Sequence, residues 1–171
     1  MKRTWPRWPA SRVPAGARGV TATEAAASVA GRAYPPSVYE VGSEKIREYA
    51  RAVGEVSPFY FDREAARAAG FRDVVAPPMF CVVYSTGALR PAIGDPELGI
   101  DLALMVHGGQ EFAWSEPVCA GDAITTTARV AEVYEKRGMG FFVFESVSEN
   151  QEGREVVRGT WTNIVRRAPA P

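Results

Sequence analysis

From Leu102 to Val165 the chain is almost unbroken strand-forming sequence. Four segments, 102–114, 123–134, 140–148 and 155–165, are long and rich in Val, Thr and aromatic residues. Only Gly or charged turns separate them, which is the composition of strands rather than helices. Thr125, Thr127 and Arg129 alternate with Thr126, Ala128 and Val130; Phe142, Phe144 and Ser146 alternate with Phe141, Val143, Glu145 and Val147. Strands with no helix between them must pair largely antiparallel. Just upstream lies one helical segment, 79–89, which Met79, Phe80, Val82, Val83, Tyr84 and Leu89 make apolar nearly all round. A helix of that kind is buried. The two halves together predict an α+β fold in which an antiparallel sheet wraps a single buried helix.

The upstream elements are shorter. Residues 37–42 alternate weakly and read as a strand. Ser43 is a good N-cap, and Ile46, Tyr49, Ala50 and Val53 then fall on one face of a helix that Gly54 ends. Asp62 caps a second helix, 63–69, closed by Gly70. Pro77 and Pro78 stop the chain and suit a helical first turn, where a missing N–H costs nothing. Pro91 should end the buried helix.

Charge bounds the function. The 171 residues carry 20 basic and 20 acidic groups, which argues against nucleic acid as the main partner. No run approaches the ~18 apolar residues of a membrane span. Residues 1–32 hold six basic groups and one acid, with Pro6, Pro9 and Pro14 and no apolar period. They read as a disordered basic tail over 1–33, ahead of one domain at 34–167 and a C-terminal tail at 168–171. A targeting peptide is the other reading of that head, and its prolines count against it. The aromatic set Phe141, Phe142, Phe144 and Trp161 reads as core or seam. The two cysteines, Cys81 and Cys119, lack metal-ligand spacing, and with one histidine they build no zinc site. They are expected to be reduced and packed in a cytoplasmic protein.

The run from Glu44 through Val53-Gly54-Glu55-Val56-Ser57-Pro58-Phe59-Tyr60-Phe61-Asp62, then 65–71 and Val75-Ala76-Pro77-Pro78-Met79-Phe80, resembles the MaoC-type dehydratase family. So do Val106-His107-Gly108-Gly109-Gln110-Glu111-Phe112 and Pro117-Val118-Cys119-Ala120-Gly121-Asp122, and the similarity is strongest to the family's fatty-synthase-type (FAS1-like) branch. The resemblance implies a hot-dog fold, side-by-side pairing of two such units, and acyl-thioester sites at the seam. Active members carry a motif like Gly-Asp-x-Asn-Pro-x-His-x-Asp, whose Asp and His handle water during reversible hydration of an enoyl thioester. At the matching positions this chain has Glu55, Ser57 and Tyr60.

Hydration needs a group that exchanges a proton near neutral pH. A tyrosine titrating near 10 lies ~3 units above pH 7, so forming its phenolate costs roughly 4 kcal/mol. Glu55 carries an extra methylene that displaces its carboxylate. Glu55 and Tyr60 therefore read as a degenerate catalytic pair. The expected substrate-binding set is Ser57, Pro77, Pro78, Met79, Phe80, His107 and Gly108, with backbone N–H groups at the Met79 turn facing a thioester carbonyl. His107, the only histidine, is either a structural group on a strand or part of that set; Gly108 and Gly109 beside it suggest a bulge or a close backbone approach. Asp62 reads as a helix cap, Asp122 as a turn residue, and Arg166 with Arg167 as a solvated tail or a phosphate contact.

Three functions fit. The chain is a subunit of an (R)-specific 3-hydroxyacyl-thioester dehydratase whose partner hot-dog chain supplies the Asp and His, an arrangement similar to the dehydratase heterodimers of mycolic-acid synthesis. Alternatively it is a self-sufficient homodimer using Glu55 and Tyr60, or a non-enzymatic acyl-thioester binder. The thioester rides on coenzyme A or on acyl carrier protein. No metal or redox cofactor is expected, because hydration moves only water and a proton.

Overall fold

A computed structural model describes residues 29–166. The elements are β1 (Ala33–Glu40), α1 (Ser43–Ala52), α2 (Arg63–Ala68), α3 (Cys81–Ile93), β2 (Met105–Trp114), β3 (Ala123–Lys136), β4 (Met139–Glu149) and β5 (Glu155–Val165), with single 3₁₀ turns at Pro58–Tyr60 and Pro78–Phe80. The five strands form one sheet in the order β1-β3-β4-β5-β2, antiparallel throughout. The expected α+β hot-dog plan is what the chain adopts: α3 lies on one face of the sheet, which curls around it.

The core has two ends along α3. At its start, Phe80, Cys81 and Tyr84 pack with Ile46, Val74, Ile124, Val156 and Val157. At its end, Ala88, Leu89 and Ala92 pack with Val29, Val130, Phe142, Phe144 and Trp161. The α3 helix is not buried all round, however. Cys81, Tyr84, Ser85, Ala88, Leu89 and Ala92 are buried, while Thr86, Gly87, Arg90 and Pro91 are exposed. Its apolar list concealed the polar Thr86 and Arg90, which are exposed.

Several boundaries differ from the sequence reading. The first strand starts at Ala33, not 37, because Pro35 and Pro36 sit on an edge strand, where a register shift between Tyr34 and Ser37 accommodates the missing N–H groups. Gly42, not Ser43, is the N-cap of α1, with no side-chain bond. Pro91 does not stop α3, which runs to Ile93; the carbonyl the proline leaves unpaired belongs to exposed Gly87. β2 starts at Met105 rather than 102, because Asp101 turns the chain first: Ala103 N–H donates to its carboxylate at 2.9 Å and Leu104 N–H to its carbonyl at 3.1 Å. The expected basic tail lies, through residue 28, outside the described residues, as does the tail at 168–171. From Val29 the chain is already in the fold. Val29 is fully buried, the Gly31 N–H donates to Val130 O at 2.8 Å, and Arg32 pairs with Asp95 at 2.8 Å. The domain therefore begins before residue 34.

Candidate functional site

The loop carrying Glu55, Ser57 and Tyr60 is held from several sides. Helix α1 closes on Gly54, whose φ of 77° is in the left-handed region open to glycine. That reversal lets the Glu55 N–H donate to Ala50 O at 2.9 Å. Ser57 leads into the Pro58–Tyr60 turn, where the Tyr60 N–H donates to Ser57 O at 3.2 Å and the Asp62 N–H to Pro58 O at 2.8 Å. Asp62 then caps α2 as its position suggests, its Oδ1 accepting from Ala65 N–H at 2.8 Å. The Val75 N–H donates to Phe59 O at 3.1 Å, Arg47 Nε donates to Phe61 O at 2.9 Å, and the Arg51 guanidinium lies 5.8 Å from the Phe61 ring centre.

This loop lies beside the start of α3. The Tyr49 ring meets Phe80 edge-on, centroids 5.4 Å apart. Burial raises the Tyr49 phenol, with Cys81 and then Glu55 adding to the effect. Burial also raises the Tyr60 phenol, and the nearby Glu55 charge raises it further. The Tyr60 phenol is thus held further from proton exchange near pH 7 than a free tyrosine. Burial pushes the Cys81 thiol up to about 12, so it stays protonated, and both cysteines are free and buried as expected.

At the α3 turn Pro77 and Phe80 are buried while Pro78 and Met79 are exposed. The Phe80 N–H is used internally, donating to Pro77 O at 2.8 Å, and Pro78 has none. That leaves the Met79 N–H as the donor of this turn open to a carbonyl. Trp114, at the end of β2, donates through Nε1 to Pro78 O at 2.9 Å. That bond ties the end of β2 to this turn, and no local spacing announced it.

His107 and Gly108 stand apart from the rest. Within one chain, seven residues of strand separate His107 from Trp114, roughly 23 Å. The His107 ring lies against Trp161 instead, centroids 6.4 Å apart. The register shift between His107 and Gly109 is the bulge that the Gly-Gly pair suggested. A Cβ on Gly108 would come 2.5 Å from Ile164 Cδ1, so the position requires a close approach. Asp122 is more than a turn residue. It is 2% exposed and accepts from Arg72 Nη2 at 2.7 and 2.8 Å, from Cys119 N–H at 2.8 Å and from Gln151 Nε2 at 3.2 Å. This ties together the α2–α3 connection, the turn before β3 and the turn before β5. Phe142, Phe144 and Trp161 are core, and Phe141 stacks on Tyr134. No group of three or more His, Cys, Asp or Glu side chains with metal-binding placement occurs among the described residues, and no helix among them is long and apolar enough to cross a membrane.

Known proteins share this frame. A UPF0336 protein of Streptomyces coelicolor is 43% identical over 142 residues, spanning 82% of this chain and 94% of that protein. The C-terminally truncated HadBC (3R-hydroxyacyl-ACP dehydratase) complex of Mycobacterium tuberculosis superposes with a TM-score of 0.70 at 28% identity, covering 80% of this chain and 96% of that one. A MaoC-like dehydratase superposes with a TM-score of 0.76 at 26% identity, over 82% of this chain and 43% of that longer one. The family described as "FAS1-like, dehydratase domain region" matches residues 28–158. By that match and by the strand order and central helix above, the chain belongs to the FAS1-like dehydratase region family, built on the MaoC-type hot-dog frame.

Proposed function

We propose that this chain is one hot-dog subunit of an (R)-specific 3-hydroxyacyl-thioester dehydratase, equally an enoyl-thioester hydratase, and that a second hot-dog chain supplies the working Asp and His. The observation that carries this reading is the Glu55/Tyr60 pair. In the hydration direction a base takes a proton from water as the oxygen attacks the β-carbon, and an acid protonates the α-carbon. A phenol raised by burial and by a neighbouring carboxylate performs neither step well near pH 7. The Met79 turn keeps a donor for the thioester oxygen, where charge develops. This chain then supplies part of the acyl tunnel and half of the seam. The substrate is carried on coenzyme A or acyl carrier protein, and the reaction needs neither metal nor redox cofactor. The HadBC complex, named as a 3R-hydroxyacyl-ACP dehydratase, supports the same reading.

The test is hydration of crotonyl-CoA, followed by loss of enoyl absorbance. The folded chain alone is expected to be silent. The chain purified together with a histidine-bearing MaoC-type hot-dog protein is expected to turn over at ordinary enzyme rates. Turnover by the chain alone would make Glu55 and Tyr60 the working pair and overturn the proposal.

A further inference from the structure

The free edge of the sheet bears on what this chain adds to a neighbouring site, and the inference rests on the paired-subunit reading above. Among the described residues, strand β2 pairs only with β5. Its partners put Met105, His107, Gln110, Phe112 and Trp114 on the face toward α3, opposite buried Val157, Gly159, Trp161 and Asn163 along β5. Val106, Gly109, Glu111 and Ala113 face the other way. The bulge leaves Gly108 without a β5 partner. Nine paired positions remain, and Gln110 is the middle one. A hot-dog subunit built on the same strand plan can lie antiparallel along this edge, related by an axis through Gln110. Like faces then meet over the whole strand: Gly109 opposes the counterpart of Glu111, His107 that of Phe112, Val106 that of Ala113 and Met105 that of Trp114. A second observation marks the same midpoint. Gln110 Nε2 is buried and has no hydrogen-bond partner among the described residues. Its amide sits where the axis passes, and a covering strand gives it a group to turn toward.

This register carries His107 away from its own site and toward the facing one. It stands two strand positions, about 7 Å, from the counterpart of Trp114. In this chain Trp114 bonds Pro78 O at the start of α3. We propose that His107 is delivered across the seam to the facing subunit's thioester site, where its imidazole hydrogen-bonds the bound acyl thioester. It is a binding residue supplied in trans by a chain whose own dyad positions are altered.

The test uses the complex with the histidine-bearing hot-dog partner. Photoreactive benzoylphenylalanine is placed at 107 and, as a control, at exposed Val38 on the opposite edge. Position 107 should crosslink to the partner peptide that opens its central helix or ends the strand after it, and position 38 should not. His107→Ala should raise KM for crotonyl-CoA about tenfold, the loss of one hydrogen bond to a ligand, with kcat within about threefold. His107→Gln should recover most of the difference, which a purely structural imidazole would not predict. Crosslinks from 107 that stay within this chain or land elsewhere on the partner, or an unchanged KM in His107→Ala, would overturn the inference. A crosslink from 107 to the same peptide of a second copy of this chain overturns the separate catalytic partner and supports the placement of His107. Failure to associate with any histidine-bearing hot-dog protein, or with itself, overturns both.

Discussion

At position 60 the side chain decides what the loop can do. An imidazole there would exchange protons near pH 6.5, whereas a phenol starts near 10 and is raised further by burial and by Glu55. In the assembled enzyme Tyr60→Phe and Glu55→Gln should therefore each change kcat by less than about threefold. A working general acid or base contributes roughly a hundredfold or more, so a loss of that size in steady-state assays would identify the pair as catalytic. At position 87 space rather than proton affinity is decisive. A Cβ on Gly87 would press on Ser37 Oγ and approach Ser37 Cβ to 3.1 Å. Alanine gains about 1 kcal/mol in helix propensity, but overpacking β1 against α3 costs about 1–3 kcal/mol. Gly87→Ala should lower stability in urea unfolding; a rise in midpoint would mean β1 yields freely.

Between elements, two polar ties hold what the hydrophobic pattern leaves loose. Asp122 joins three loops through Arg72, Cys119 and Gln151. Asp122→Ala strands the Cys119 N–H beneath the surface and removes the arginine's partner, so a loss of about 2–4 kcal/mol is expected from denaturant melts. The second tie joins the end of α3 to the start of β1. The Tyr34 hydroxyl donates to Asp95 at 2.7 Å, the Glu97 N–H at 2.9 Å and Arg32 at 2.8 Å. These bonds, Tyr34 first, hold the Asp95 carboxyl below its ordinary range. A depressed carboxylate contributes stability above its unfolded value, near 4, and that share fades as the pH falls through the lower folded value. The melting temperature should fall on acidification below about pH 4, and Asp95→Asn should flatten that part of the curve. Strand-forming composition, alternation and turn residues announced β3, β4 and β5, and capping chemistry announced Asp62, because these signals are local in sequence. The Arg72–Asp122 pair, 50 residues apart, and the Trp114–Pro78 bond, 36 apart, leave no local trace. The Glu55–Tyr60 loop was legible only through its resemblance to a motif. His107 could not be assigned from sequence, because the strand that carries it is an edge only once the sheet order is known.

For the whole molecule, the question is which edge of the sheet associates. The β1 edge is blunted by Pro35, Pro36 and a register shift, the features that keep an edge from being extended. The β2 edge has no proline or lysine, and the apolar Val106 and Trp114 lie exposed along it. Backbone pairing and apolar burial therefore favour the same side. A lysine on that side should oppose pairing without disturbing the subunit, because Val106 is already 38% exposed. Val106→Lys should weaken association at least tenfold by sedimentation while the isolated chain melts within about 2 °C of the parent, the shift expected of a surface change worth ~0.5 kcal/mol. Val38→Lys, on the blunted edge, should leave association unchanged. The reverse outcome would place the seam on β1. His107 would then lie on the far side of the sheet from any neighbour, and its delivery to a facing site would be impossible.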